Sequence, residues 1–195
     1  MNNSFYRCKR TKSEQLGVAA VEMALVAIPF FLMLLGAIEF GRLMYVWNTV
    51  QEVTRNAARQ AVVTDFSTSN SAAINAIKYS AVFQTTAGPL PAAGEITNAN
   101  IMIRYFNAVG GLVTISGSMN PVTNQAECLN NTSACISYVE ACVVRTTSVN
   151  NADATCASST ELSFAPMIGF FSNLSVLTIP RSTVRMPAES LGFTP

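Results

Sequence analysis

The sequence contains no histidine. That removes the commonest general base and the commonest zinc ligand together, and with them a histidine-activated serine or cysteine nucleophile. Charge is scarce too. Only 12% of the 195 residues are Asp, Glu, Lys or Arg, and the net charge is +1, against roughly a quarter charged in an average soluble domain. No global basic field exists to hold nucleic acid. Gly-rich phosphate loops, Walker motifs and Gly-x-Ser-x-Gly elbows are absent, so neither a cofactor nor a small-molecule substrate is expected. Asp65, Glu95, Glu127, Glu140, Asp153, Glu161 and Glu189 are scattered and read mostly as solvated surface charges.

Hydrophobic residues, by contrast, make up half of the chain, and the mean hydropathy is +0.32. This excludes a disordered chain and suggests that part of it lives in lipid. The basic residues are uneven. Arg7, Lys9, Arg10 and Lys12 precede residue 17, with Glu14 the only acid there, which leaves eight basic and ten acidic residues beyond. Val18–Ile38 follows as a 21-residue apolar run with one charge, Glu22. As a helix it spans ~31 Å, the thickness of a bilayer core. Basic residues ahead of the run keep the N-terminus cytoplasmic and send the chain from about residue 40 across the membrane. Tyr45 and Trp47 fall where an aromatic belt is expected. The rival reading is a cleaved secretory signal, but its apolar core is about 7–15 residues long and ends in a small-x-small site. Here the far end is Gly36-Ala37-Ile38-Glu39-Phe40-Gly41-Arg42. Pro29 inside the run removes one helix hydrogen bond, which membranes tolerate when neighbours satisfy the freed carbonyl.

Glu22 requires an explanation, because a carboxylate deep in a membrane helix costs roughly 2.5–3.5 kcal/mol. Either it sits shallow enough to reach the headgroups, or it has a partner. The string Gly17-Val18-Ala19-Ala20-Val21-Glu22 resembles the processing site of type IV prepilins. With Met23-Ala24-Leu25-Val26, Pro29 and then Leu34-Leu35-Gly36-Ala37-Ile38-Glu39-Phe40-Gly41-Arg42, it is similar to the TadE family of pseudopilins of tight-adherence (Tad, Flp-type) pilus systems. Met23 departs from the aromatic residue usual there. The resemblance covers about residues 16 to 63.

The resemblance implies a minor pseudopilin, a structural protein rather than an enzyme. A prepilin peptidase would cut after Gly17 and leave Val18 as the new N-terminus, with Glu22 the determinant of processing and assembly. Implied partners are that peptidase, other pilus or pseudopilin subunits and the membrane assembly platform; implied roles are adhesion and biofilm formation. The protein would be a single-pass inner-membrane protein with its C-terminal domain in the periplasm. A second reading keeps the helix as an uncleaved anchor for a periplasmic scaffold or binding module. A third, a membrane-tethered enzyme, would need carboxylate-only or Ser–Lys chemistry, and Lys78 is the only lysine beyond Gly17. Cleavage would also supply a partner for Glu22, since an α-amino group on Val18 lies one helical turn away at i, i+4.

Beyond the run, Leu43, Val46, Val50, Val53, Ala57 and Ala61 form an apolar stripe at helical spacing. Glu39 with Arg42, and Glu52 with Arg55, are placed to pair at i, i+3. A second helix is expected over Ser71–Phe83, then a turn-rich linker at Ala87–Gly94. Period-two patterns predict strands at Asn100–Val109 and Leu112–Ser116, joined as a hairpin by Gly110-Gly111, and at Ile136–Thr146. Leu174–Ile179 and Ser182–Met186 flank Pro180 as one interrupted strand or two. The expected fold is α+β: a long N-terminal transmembrane helix continuing into a small periplasmic domain with an antiparallel sheet. Its parts are a basic cytoplasmic leader (1–17), the transmembrane helix (18–41), its periplasmic continuation (42–63) and the domain (64–195).

Cys8 lies in the proposed leader, whereas Cys128, Cys135, Cys142 and Cys156 fall on the oxidising side, where two disulfides are expected. Three connectivities are open, and the short closures Cys128–Cys135 and Cys142–Cys156 are favoured. The spacings lack the close cysteine pair of a zinc site, so no metal is expected.

Overall fold

The computed structural model describes residues 13–67, 71–145, 156 and 161–193, with the backbone alone for 13–16 and 170–172. Residues 1–12 of the basic leader, with Cys8, and Asp153 lie outside the described residues. The chain is α+β, and it divides into two compact units, Met1–Phe40 and Gly41–Pro195.

Helix α1 runs unbroken from Ser13 to Ala61 through Pro29. In the first unit its side chains stand open: Met33 is 77% exposed, Met23 69% and Leu25 66%. The most apolar 18-residue window of the helix has a mean hydropathy of 2.4, and none of it is buried. A helix that is apolar all round belongs either in a protein core or in a bilayer. None of that window is buried within the chain, and the helix is long and apolar enough to cross a membrane.

In the second unit the same helix becomes amphipathic. Leu43, Val46, Val50, Val53, Ala57 and Ala61 are all buried, as the stripe predicts, while Glu52 and Arg55 stay exposed and pair at 3.8 Å. Helix α2 (Ser71–Ala81) buries Ile77 and Ala81. It stops two residues short of the sequence expectation because Phe83 takes a φ of 59° and turns the chain out of the helix. The expected linker carries a small hairpin instead, β1 (Pro89–Leu90) with β2 (Ala93–Thr97).

The main sheet is antiparallel with the order β3 (Ile101–Phe106), β4 (Tyr138–Val143), β5 (Thr183–Pro187). Val139, Ala141 and Val143 of β4 join the core with the α1 stripe. Met102 and Cys142, opposite each other across β3 and β4, form a smaller cluster with Val144 on the other face. The expected hairpin over residues 112–116 is reduced to a single bridge, Phe106 to Leu112. Asn107 closes the turn by accepting from the Gly111 amide at 2.7 Å. Val113 and Ile115 still pack into the core, so the alternation is real but the ladder is not. Of the Leu174–Ile179 segment, the first half lies in a 3₁₀ helix (Gly169–Val176), and only the bridge Ser163–Thr178 is strand-like.

Helix α3 (Pro121–Leu129) was not expected. Asn120 caps it by accepting from the Thr123 amide, with Pro121 in the first turn. The disulfide Cys128–Cys135 closes its C-terminal end, with the two Cα atoms 4.6 Å apart. A second, Cys142–Cys156, ties β4 to the Cys156 region. The distal cysteines are therefore oxidised in pairs, in the connectivity whose two loops are shortest in total.

The C-terminal segment returns to the end of α1, where Glu189 and Leu191 donate their amides to the Val62 carbonyl. Gly192 sits beside Asp65 with a φ of +81°, and a Cβ there would lie 2.5 Å from the Asp65 amide nitrogen. Gly192→Ala is expected to cost about 2–4 kcal/mol, from the left-handed backbone and from the clash with a main chain that has no freedom to rotate away. Gly94→Ala, where a Cβ meets nothing within 4 Å, serves as the near-neutral control. Urea unfolding of the two variants beside wild type checks this, and equal midpoints would contradict it.

Candidate functional site in the N-terminal helix

In the first unit, Val18 and Glu22 are exposed and lie one turn apart on α1. Gly17 opens this stretch, and a Cβ placed on it would meet nothing within 4 Å. Glycine inside a helix costs about 1 kcal/mol relative to alanine. The fold itself therefore gives no reason for glycine at 17. Glu39 is only 1% exposed, whereas Phe40 next to it is 59% exposed.

In the second unit the helix begins with Gly41, which is also free of contacts at its missing Cβ. Arg42 follows, and it is held on every branch. Its Nε donates to the Ala92 carbonyl at 2.9 Å and its Nη1 to the Ala165 carbonyl at 2.6 Å. Its Nη2 reaches both Glu95 carboxylate oxygens, at 2.9 and 2.7 Å. The guanidinium also stacks over Phe164, 4.7 Å from the ring centre. The Arg42 and Glu95 side chains are 10% and 7% exposed. Guanidinium chemistry suits this place, because a planar fork with five donors serves a carboxylate, two carbonyls and a ring at once. Three residues further along the helix, the Tyr45 hydroxyl donates to the Pro91 carbonyl at 3.0 Å. Arg42 and Tyr45 thus hold two consecutive carbonyls of the turn between β1 and β2, where Ala92 has a φ of 59°.

The reading of Glu95 as a surface charge is therefore corrected: it is buried against Arg42. Glu140 is corrected likewise. It lies between Arg104 at 3.6 Å and Arg185 at 2.8 Å, its opposite numbers on β3 and β5. Both guanidinium groups stack on Phe106. Trp47, expected in an aromatic belt, packs instead against the core. Sequence reasoning missed Glu95, Phe164 and the carbonyls of Ala92 and Ala165. Among the described residues, no group of three or more His, Cys, Asp or Glu side chains is placed to hold a metal ion.

The glycine without a packing role, the acid one turn beyond the following residue, and the anchored arginine at the other end of the run delimit one segment. Residues 17–59 match the family model of TadE-like proteins. Over that stretch the chain is similar to TadE-like proteins. The match takes in Gly17, Val18 and Glu22 at one end and the buried stripe as far as Ala57 and Ala58 at the other, and it leaves the sheet outside. No curated protein and no solved structure matches the chain significantly.

Proposed function

We propose that this chain is a minor pseudopilin of a Tad-type pilus, processed by a prepilin peptidase after Gly17 and joined to the pilus or its assembly platform through α1. The observation that carries this reading is the start of the TadE-like match at Gly17, a helical glycine whose Cβ position is empty. A residue that the fold does not require is accounted for when a second molecule reads it. A peptidase that grips the backbone at the cut site has no room for a side chain there.

On this reading α1 has three successive duties. Gly17, Val18 and Glu22 serve processing and assembly. The open apolar stretch lies in the inner membrane. Glu39, Phe40, Gly41 and Arg42 mark its far end, where Arg42 fixes the helix to the β1–β2 hairpin. The basic leader holds the N-terminus in the cytoplasm, and Gly41–Pro195 occupies the periplasm, where the two disulfides persist. The chain works as a structural subunit in adhesion and biofilm formation, not as an enzyme.

Gly17→Ala is expected to block or strongly slow maturation, while Gly41→Ala, an equally open helical glycine, matures normally. An immunoblot of whole cells, resolving precursor from mature protein, reads the difference. Normal processing of the Gly17 variant would contradict the peptidase assignment.

A further inference from the structure

The groove between α2 and β3 has a volume of about 400 Å³ and an apolar lining that includes Phe66, Ile74, Met102 and Ile103. That is within the range of small-molecule pockets, ~300–1,000 Å³. Two polar groups of this lining are unusual. Lys78, one turn beyond Ile74 on α2, has no ion pair or hydrogen bond among the described residues. Tyr105, on the same face of β3 as Ile103, is 7% exposed, and its enclosed hydroxyl has no hydrogen-bond partner among the described residues. An enclosed donor left unpaired costs about 1–3 kcal/mol, so native proteins seldom retain one without a use. Burial lowers the Lys78 amine from its ordinary range. Burial, and secondarily the charge of Asp65, raises the Tyr105 phenol, which therefore stays protonated as a donor. Asp65 accepts from the Ser67 amide and hydroxyl at 2.8 and 3.0 Å.

We propose that this groove binds a small aliphatic carboxylate. Its chain lies against Ile74 and Ile103, and its anionic head takes the Lys78 ammonium and the Tyr105 hydroxyl as donors. Charge selects this ligand. A cation and a neutral donor on an apolar wall complement an acid with a short hydrocarbon chain, and a neutral isostere leaves Lys78 unpaired. This site is independent of the pilus reading, because it uses no residue of α1.

The test uses the full-length chain in lipid nanodiscs with isoleucine methyl labels and sodium hexanoate as the probe. Hexanoate is expected to shift the Ile74 and Ile103 methyl signals saturably. Hexanamide, of the same length but uncharged, binds at least tenfold more weakly. Lys78→Gln weakens hexanoate at least tenfold, and Lys78→Arg retains it within threefold. Tyr105→Phe weakens hexanoate severalfold yet unfolds no more easily than wild type, because it removes an unpaired hydroxyl rather than a bond. Non-saturating shifts, equal binding of hexanamide, or wild-type affinity in Lys78→Gln would overturn the proposal. A Tyr105→Phe chain that is markedly less stable would show that the hydroxyl already has a partner inside the protein and would also count against it.

Discussion

Replacing Arg42 by alanine is expected to destabilise the Gly41–Pro195 unit by about 3–5 kcal/mol, the range for removing one partner of a buried ion pair. The loss has several parts. The Glu95 carboxylate, 7% exposed, is left with no guanidinium beside it. The carbonyls of Ala92 and Ala165 lose their donors, and the Phe164 ring loses the plane stacked on it. Lysine is expected to recover only part of this, since a point charge cannot serve both Glu95 oxygens and two carbonyls in one plane. Removing both charges as Arg42→Met with Glu95→Leu is expected to cost less than Arg42→Ala alone, because no buried carboxylate is then left without a partner. Trp47, the single tryptophan, is packed against the core and reports unfolding of this unit. Urea titrations followed by its fluorescence provide the comparison. A loss below ~1 kcal/mol would place the pair with ordinary surface salt bridges and remove Arg42 as an anchor.

Glu22→Gln is expected to leave membrane insertion intact and to reduce assembly at least tenfold. Insertion improves slightly, because the substitution takes a charge out of an apolar helix. Assembly suffers because the Val18 amine created by cleavage would sit in lipid without its carboxylate, and an unpaired charge there is heavily penalised. The exposure of Val18 and Glu22 on the isolated helix leaves the carboxylate accessible to the amine of its own chain or of a neighbouring subunit. Fractionation measures insertion, and cross-linking to other pilus components measures assembly. Wild-type cross-linking from a processed, membrane-resident Glu22→Gln chain would mean that the carboxylate snorkels to the interface and pairs with nothing.

The parts of the fold written as periodicity were readable in the sequence. The Leu43–Ala61 stripe, the Ile74 and Ile77 face of α2, and the alternation of β4 each follow from side chains that share one buried surface. Helix α3 was missed because its nine residues carry too few apolar positions for a stripe, and its signal is the cap at Asn120, Pro121 and Thr123. The β1–β2 hairpin was hidden by Pro89 and Pro91, which read as linker. The stretch from Gly17 to Arg42 was readable as similar to TadE proteins because its residues are consecutive, and it falls inside the matched residues 17–59. The arginine anchor was not, because Arg42 finds Glu95 and the Ala165 carbonyl 53 and 123 residues away. A buried Glu95 and a surface Glu95 look alike in sequence. What distinguishes them is a guanidinium that only the folded chain delivers.

The mass of the mature protein, measured intact from membranes of the native host under non-reducing conditions, tests the central claim most directly. The expected chain begins at Val18 and lacks Gly17 and all that precedes it, with Cys128, Cys135, Cys142 and Cys156 in two disulfides and no free thiol. A chain that retains Met1 through Gly17 would contradict processing and leave α1 as an uncleaved membrane anchor.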